Sequence, residues 1–290
     1  MHQRPLSISR RTVAIAAALA GTVSLAIGAH AALNKRALEV APAIAAGQGA
    51  VSKTASRVAL VIGNGHYPDA AAPLDQSIND ARALTEALRR DGFDVDVVED
   101  ASKDDMARAV ERVKSKIGPD TVAMLFFGGY GIQVGRESFM IPVDATIWRE
   151  ADIRRDGVSI EAVLEMMKSQ GARAKLAVID ASRRNPYERR FRAYSHGLAP
   201  IAAPDNALVL SSATPGKVAD DGIGEHSVLV GELLGNLQAN AAGAETVFNK
   251  TRVAISKASD GEQVPTVSSS LSEDVRFGIA AQSAEVKAGS

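Results

Sequence analysis

Leu125-Phe126-Phe127-Gly128-Gly129-Tyr130-Gly131 and Val178-Ile179-Asp180-Ala181-Ser182-Arg183-Arg184-Asn185-Pro186-Tyr187 decide how this chain is read. Each begins as an apolar run and stops in small or turn-forming residues. That is the pattern of a parallel strand buried on both faces whose carboxyl end opens onto a site. Working outward from them, residues 58–62 form a third apolar run, stopped by Gly63-Asn64-Gly65. Residues 75–90 place Ile78, Ala81, Leu84 and Leu88 on one helical face, with Arg82, Glu86 and Arg89 elsewhere. A strand is expected at 92–98 and a helix at 103–117 carrying Met106, Val110 and Val113. The same alternation continues with strands at 121–127, 138–142, 174–179 and 207–211, and helices at 159–170, 227–238 and 245–258. Strand alternating with helix at this spacing predicts an α/β fold, a doubly wound, mostly parallel sheet of about six strands.

A chain of 290 residues with 46% hydrophobic content can bury a full core, which for this length means one domain of roughly 200 to 250 residues plus tails. The balance of 33 basic against 34 acidic residues argues against a nucleic-acid or polyanion partner. The chain has no cysteine, which excludes disulfides, thiolate metal sites and a thiol nucleophile. Its five histidines, at 2, 30, 66, 196 and 226, lack paired ligand spacing, so no metal site and no cofactor are expected. Trp148 is solitary and provides no aromatic platform, and Gly63-Asn64-Gly65 lacks the third glycine of a nucleotide-binding turn.

The first 31 residues read as an export signal. Arg4, Arg10 and Arg11 form a basic start, residues 12–28 are apolar and Ala-rich, and Ala29-His30-Ala31 fits a small-x-small cleavage site. Ser9-Arg10-Arg11-Thr12-Val13 resembles a twin-arginine signal, with Val13 and Ala14 where Phe-Leu is usual. The alternative is an uncleaved anchor, since residues 12–33 are nearly long enough to span a bilayer. Either outcome puts the domain outside the cytoplasm, in the periplasm, in the medium or tethered to the inner membrane. Residues 32–56 read as an Ala, Gly and Ser-rich linker, residues 57–278 as the folded domain and residues 279–290 as a disordered tail.

The two opening segments resemble the catalytic strand ends of caspase-like cysteine endopeptidases, peptidase family C14, which holds caspases, metacaspases and paracaspases. In that family the first strand ends in Gly-His-Gly, whose His is the general base, and the second carries Asp-x-Cys, whose Cys is the nucleophile. Here those positions hold Tyr130 and Ser182. The likeness extends over about residues 57–277. Residues 57–64 match the opening strand, Asn79-Asp80-Ala81 the first helix start, 131–134 with 142–145 the stretch after the catalytic His, and 213–219 with Asp221-Gly222 a later pocket loop. The resemblance implies a three-layer sandwich. It also implies a pocket for a basic side chain lined by Asp80 and Asp180, two acids suited to an Arg or Lys guest. The plainer reading is that Asp80 stabilises the amino end of its helix and Asp180 binds nearby amides. At the pocket rim the chain has Glu225-His226-Ser227 where an Asn-Ser pair is commoner.

A serine hydroxyl must lose its proton as it attacks, so it needs a base at hydrogen-bond distance. A phenol, with a reference pKa of about 10, is chiefly a donor at pH 7. Substitute bases are His66, in the turn after the first strand, and His196, in the arginine-rich loop after Ser182; each is better explained as a plain loop residue. The expectation is an inactive pseudopeptidase that binds a peptide or protein partner, with a basic side chain in the pocket. Alternatives are a weak hydrolase cleaving after Arg or Lys with Ser182 as nucleophile, and a membrane-proximal assembly module. No acidic loop suggests a calcium site.

Overall fold

A computed structural model describes residues 56–68, 70, 73–181, 197–219, 224–238 and 242–278 of the chain. Ser182, the arginine-rich loop with His196, Asp221-Gly222 and the segments 1–31, 32–55 and 279–290 lie outside the described residues.

The apolar runs are the central strands. β1 (Arg57–Gly63) is buried at six of its seven positions, while β3 (Val122–Gly128), β7 (Ala174–Asp180) and β8 (Ala207–Ser211) are buried at every position. With β2 (Asp94–Glu99) and β9 (Thr266–Ser269) they form one six-stranded sheet in the order β2-β1-β3-β7-β8-β9. The first five strands are parallel, and only β9 runs antiparallel, against β8.

Strand periodicity divides the core into two layers. Ala59, Val61, Met124, Phe126, Leu176, Val178, Leu208 and Leu210 face one side. There they meet α1 (Asp75–Arg90), α5 (Val228–Gln238) and α6 (Ala244–Ala258) through residues such as Leu84, Leu88, Val230, Leu233 and Phe248. Leu60, Ile62, Leu125, Phe127, Ala177, Ile179 and Val209 face the other side. α2 (Lys103–Lys114) and α4 (Ile160–Ser169) cover that layer with Met106, Ala109, Val113, Ile160, Leu164 and Met167. The α/β sandwich is therefore as expected.

Three features differ from the sequence reading. The short strand expected at 138–142 is β5 (Glu137–Met140), and it lies outside the main sheet, in a small antiparallel sheet with β4 (Gly131–Val134) and β6 (Val158–Ser159). α3 (Glu150–Asp156) precedes β6, and β9 closes the main sheet. None of these has a legible period: the strands are two to four residues long, and α3 buries only Asp152 and Ile153. β4, β5 and α3 are held by a third core of Tyr67, Ile132, Phe139, Ile141, Ile147 and Ile153, while Val158 of β6 and Val267 of β9 pack against the two main layers.

The Gly63-Asn64-Gly65 turn is used for close packing. A Cβ at Gly63 would lie 2.5 Å from the Ser77 carbonyl oxygen and 2.6 Å from Ala81 Cβ, and one at Gly65 would lie 2.9 Å from the Leu74 carbonyl oxygen. α1 thus rests directly on the end of β1. Asn64, fully buried, joins three segments. Its backbone N–H donates to the Gly128 carbonyl (2.8 Å), Nδ2 donates to the Ile141 carbonyl (3.1 Å), and Oδ1 accepts from the Ala101 N–H (2.8 Å).

Two stability changes follow. Gly63→Ala forces α1 off the strand and is expected to cost about 1–3 kcal/mol in urea unfolding, the usual range for overpacking. Asn64→Ala strands the buried Ala101 N–H, while the Ile141 carbonyl keeps the Tyr67 hydroxyl, and is expected to cost about 1–3 kcal/mol in the same measurement.

Candidate functional site

The site is built where β3 and β7 end. Gly128 lies opposite Asp180 in the parallel register. Pairing then continues beyond the strands, as Gly129 N–H donates to the Asp180 carbonyl (3.3 Å) and Gly131 N–H to the Ala181 carbonyl (3.2 Å). Tyr130 is thereby held beside the last residues before Ser182. Such an approach requires glycine: a Cβ at Gly131 would stand 2.7 Å from Leu198 Cδ2 and 2.9 Å from Ala181 Cβ.

Tyr130 is half-buried, and its ring meets that of Tyr67 edge-on, with centroids 4.8 Å apart and planes at 66°. The Tyr67 hydroxyl accepts from the Tyr130 backbone N–H (3.1 Å) and donates to the Ile141 carbonyl (2.9 Å). An aromatic pair therefore occupies the strand end at which the resemblance implies an imidazole, an arrangement worth roughly 0.5–1.5 kcal/mol beyond its buried area.

Asp80 and Asp180 are both buried. Asp180 is the last residue of β7, and Asp80 projects from the second turn of α1. The Asp80 carboxyl is pushed up to about 6, first by burial and then by the charge of Asp180, against the pull of hydrogen bonds from Ser227 and His226. Its Oδ1 pairs with His226 Nδ1 at 2.9 Å, and both oxygens accept from the Ser227 N–H, at 3.3 and 3.2 Å. Ser227 precedes α5, and its Oγ accepts from the Val230 N–H (3.2 Å). The acid therefore serves the amino end of α5, where a negative charge is favoured, and not that of its own helix as the plainer sequence reading had it. His226 as its partner was not foreseen; the only signal was the departure at residues 225–227.

His66 leads to a different group. Its Nδ1 is 2.6 Å from Asp100 Oδ2, while Asp100 Oδ1 accepts from the backbone N–H groups of Gly65 and His66, both at 2.9 Å. Asp100 adopts φ 47°, in the left-handed region that short polar side chains tolerate. The Asp100 hydrogen bond, then its charge, raises the pKa of the exposed His66. Burial alone pushes Asp100 up, but the bonds from His66 and Gly65 outweigh it and leave its pKa lowered. Among the described residues no three His, Asp or Glu side chains are grouped to hold a metal ion, and no helix is long and apolar enough to cross a membrane.

Because the folded state raises the Asp80 pKa, it binds a proton more tightly than the unfolded chain does. That contribution to stability is complete below pH 4 or so and is lost as pH rises through about 6. Urea unfolding between pH 4 and 7 is expected to show this fall, and Asp80→Asn to flatten it.

Residues 56–276 match the caspase-domain model of peptidase family C14. Over 136 residues the chain is 29% identical to the mucosa-associated lymphoid tissue lymphoma translocation protein 1 of Homo sapiens, and equally to its homolog in Mus musculus. Each alignment takes in 46% of this chain and 16% of the relative, so the chain spans only a small part of those proteins' length. The mostly parallel six-stranded sheet with helices on both faces is the architecture such a match requires, and the chain accordingly belongs to the caspase-domain family.

Proposed function

We propose that this protein is a caspase-domain pseudopeptidase that acts outside the cytoplasm by binding a peptide segment of a partner protein through a basic side chain. The observation that carries the reading is the pair of buried carboxylates, Asp80 and Asp180, close enough for one charge to raise the other's pKa. Two acids held out of water are costly without a cation, and a guanidinium or ammonium guest relieves that cost through charge-assisted bonds.

The loss of peptidase chemistry is read from residue types. A chain without cysteine has no thiolate to offer. Tyr130 stands in the strand-end turn where the family carries its base, and its backbone and ring are committed to Tyr67. General acid-base help alone is worth about two to four powers of ten in rate, so losing both groups leaves binding as the retained property. Residues 1–31, read as an export signal or anchor, supply the location.

One observation favours a second reading. A neutral His66 whose Nδ1–H is held by Asp100 presents Nε2 as a proton acceptor, the orientation that activates a serine in hydrolases. In that reading Ser182 is the nucleophile of a weak hydrolase for Arg or Lys substrates. Labelling of Ser182 by a fluorophosphonate that is lost in His66→Ala supports it, and an unlabelled protein removes it. A membrane-proximal assembly module, the third possibility, predicts partner association that is indifferent to Asp80 and Asp180.

The binding reading is tested by fluorescence anisotropy with short peptides carrying one Arg or Lys. Asp180→Asn is expected to weaken binding about tenfold or more, in line with losing one partner of a buried charge pair. Amide cleavage by the wild type that disappears in Ser182→Ala contradicts the reading. If the binding cleft is intact, the double variant Tyr130→His, Ser182→Cys is expected to gain turnover of Arg and Lys amides.

A further inference from the structure

The carboxylate of Asp80 has almost no contact with water: its side chain is 1% exposed, against 27% for His226, which bonds to it. The imidazole is the more exposed partner and stands on the solvent side of the pair. The segment that carries it is tied to α1 from end to end. Gln76 Nε2 donates to the Gly224 carbonyl (2.7 Å), Asn79 Nδ2 donates to the Glu225 carbonyl (3.3 Å), and the Ser227 N–H donates to Asp80 itself. Three side chains of α1, those of Gln76, Asn79 and Asp80, thus hold residues 224–227 in place over the acid.

The chemistry of the pair is that of the guest it would exclude. An imidazolium is a planar N–H donor with one positive charge, and it uses the same Asp80 oxygen that a guanidinium or ammonium requires. Among the described residues, the charged or titratable groups around this point are His226 and its exposed neighbour Glu225 on the segment, Asp80 on α1 and Asp180 at the end of β7.

Resting on the basic-pocket reading above, we infer that His226 is the specificity residue of the pocket: a partner supplied in cis that occupies Asp80, and that an arginine or lysine side chain of the partner protein must displace. A cationic guest needs Asp80 ionised and His226 swung away. Burial and the charge of Asp180 raise the Asp80 pKa to about 6, so affinity for the guest rises as pH climbs through that value. Both oxygens of Asp80 keep the Ser227 N–H throughout, so the amino end of α5 stays anchored while the ring moves.

The test uses the full chain and a fluorescein-labelled octapeptide containing one Arg, with its citrulline counterpart as the uncharged control. Anisotropy titrations run from pH 5 to pH 8, and thermal unfolding confirms that each variant is folded. Wild type is expected to bind the Arg peptide progressively more tightly as pH rises, and the citrulline peptide weakly at every pH. His226→Asn is expected to bind the Arg peptide about tenfold more tightly than wild type at pH 5.5. His226→Lys, a plug with a fixed positive charge, is expected to bind about tenfold more weakly at pH 8. Equal affinities of wild type and His226→Asn at both ends of the range overturn the inference and leave the basic pocket standing. Absence of Arg-peptide binding by wild type and His226→Asn alike overturns the pocket reading, and this inference with it.

Discussion

The backbone pairing between β3 and β7 does not stop where the strands do. Gly129 and Gly131 still donate to the carbonyls of Asp180 and Ala181, and that continuation decides which residues share a site. It demands glycine at 131, because any side chain there would enter Leu198 and Ala181. It turns Tyr130 toward Tyr67 and brings the end of β7, with Asp180, into the same corner. The neighbouring strand obeys the same constraint. Gly63 and Gly65 let α1 lie against the end of β1, and Asn64 fastens that turn to the starts of the segments after β2 and β5. The architecture makes the carboxyl edge of the sheet a place of close backbone approach, where a few side chains are held with little freedom.

Electrostatics then give that corner its character. Burying two acids near each other is unfavourable, and the fold answers at Asp80 with His226 and the Ser227 N–H, just ahead of α5. Asp80 is thus a structural anchor for that segment. The His66–Asp100 pair shows the same economy of position on the other side of β1, where a single carboxylate serves two backbone amides and one imidazole. The two histidines differ in setting: His66 is exposed, whereas His226 lies against a buried acid.

How much of this could be read in advance depended on the length over which each signal repeats. β1, β3, β7 and β8 are continuous apolar runs, and α1, α2, α4 and α6 repeat their apolar positions over three turns or so, long enough for a period to show. β4, β5, β6, β9 and α3 have two to seven residues each and no period. The place of β4, β5 and α3 is settled by a core gathered from Tyr67, Ile132, Phe139 and Ile147, and that of β6 and β9 by packing on the main layers. Tyr130, Asp80 and Asp180 were singled out in the sequence by resemblance to the family's motifs. The bond from His226 to Asp80 joins residues 146 positions apart and has no local trace.

The amino-acid sequence by itself determined the α/β class, the four buried parallel strands, the absence of a thiol and the residues standing in the two strand-end motifs. Composition and local periodicity record those properties directly. Only the tertiary structure decided which carboxylate pairs with which imidazole, that Asp80 serves α5 and not its own helix, and that the glycine turn after β1 is there for helix packing. Those outcomes depend on distances between segments remote in sequence, and on how burial and neighbouring charges shift a proton, neither of which a linear pattern contains.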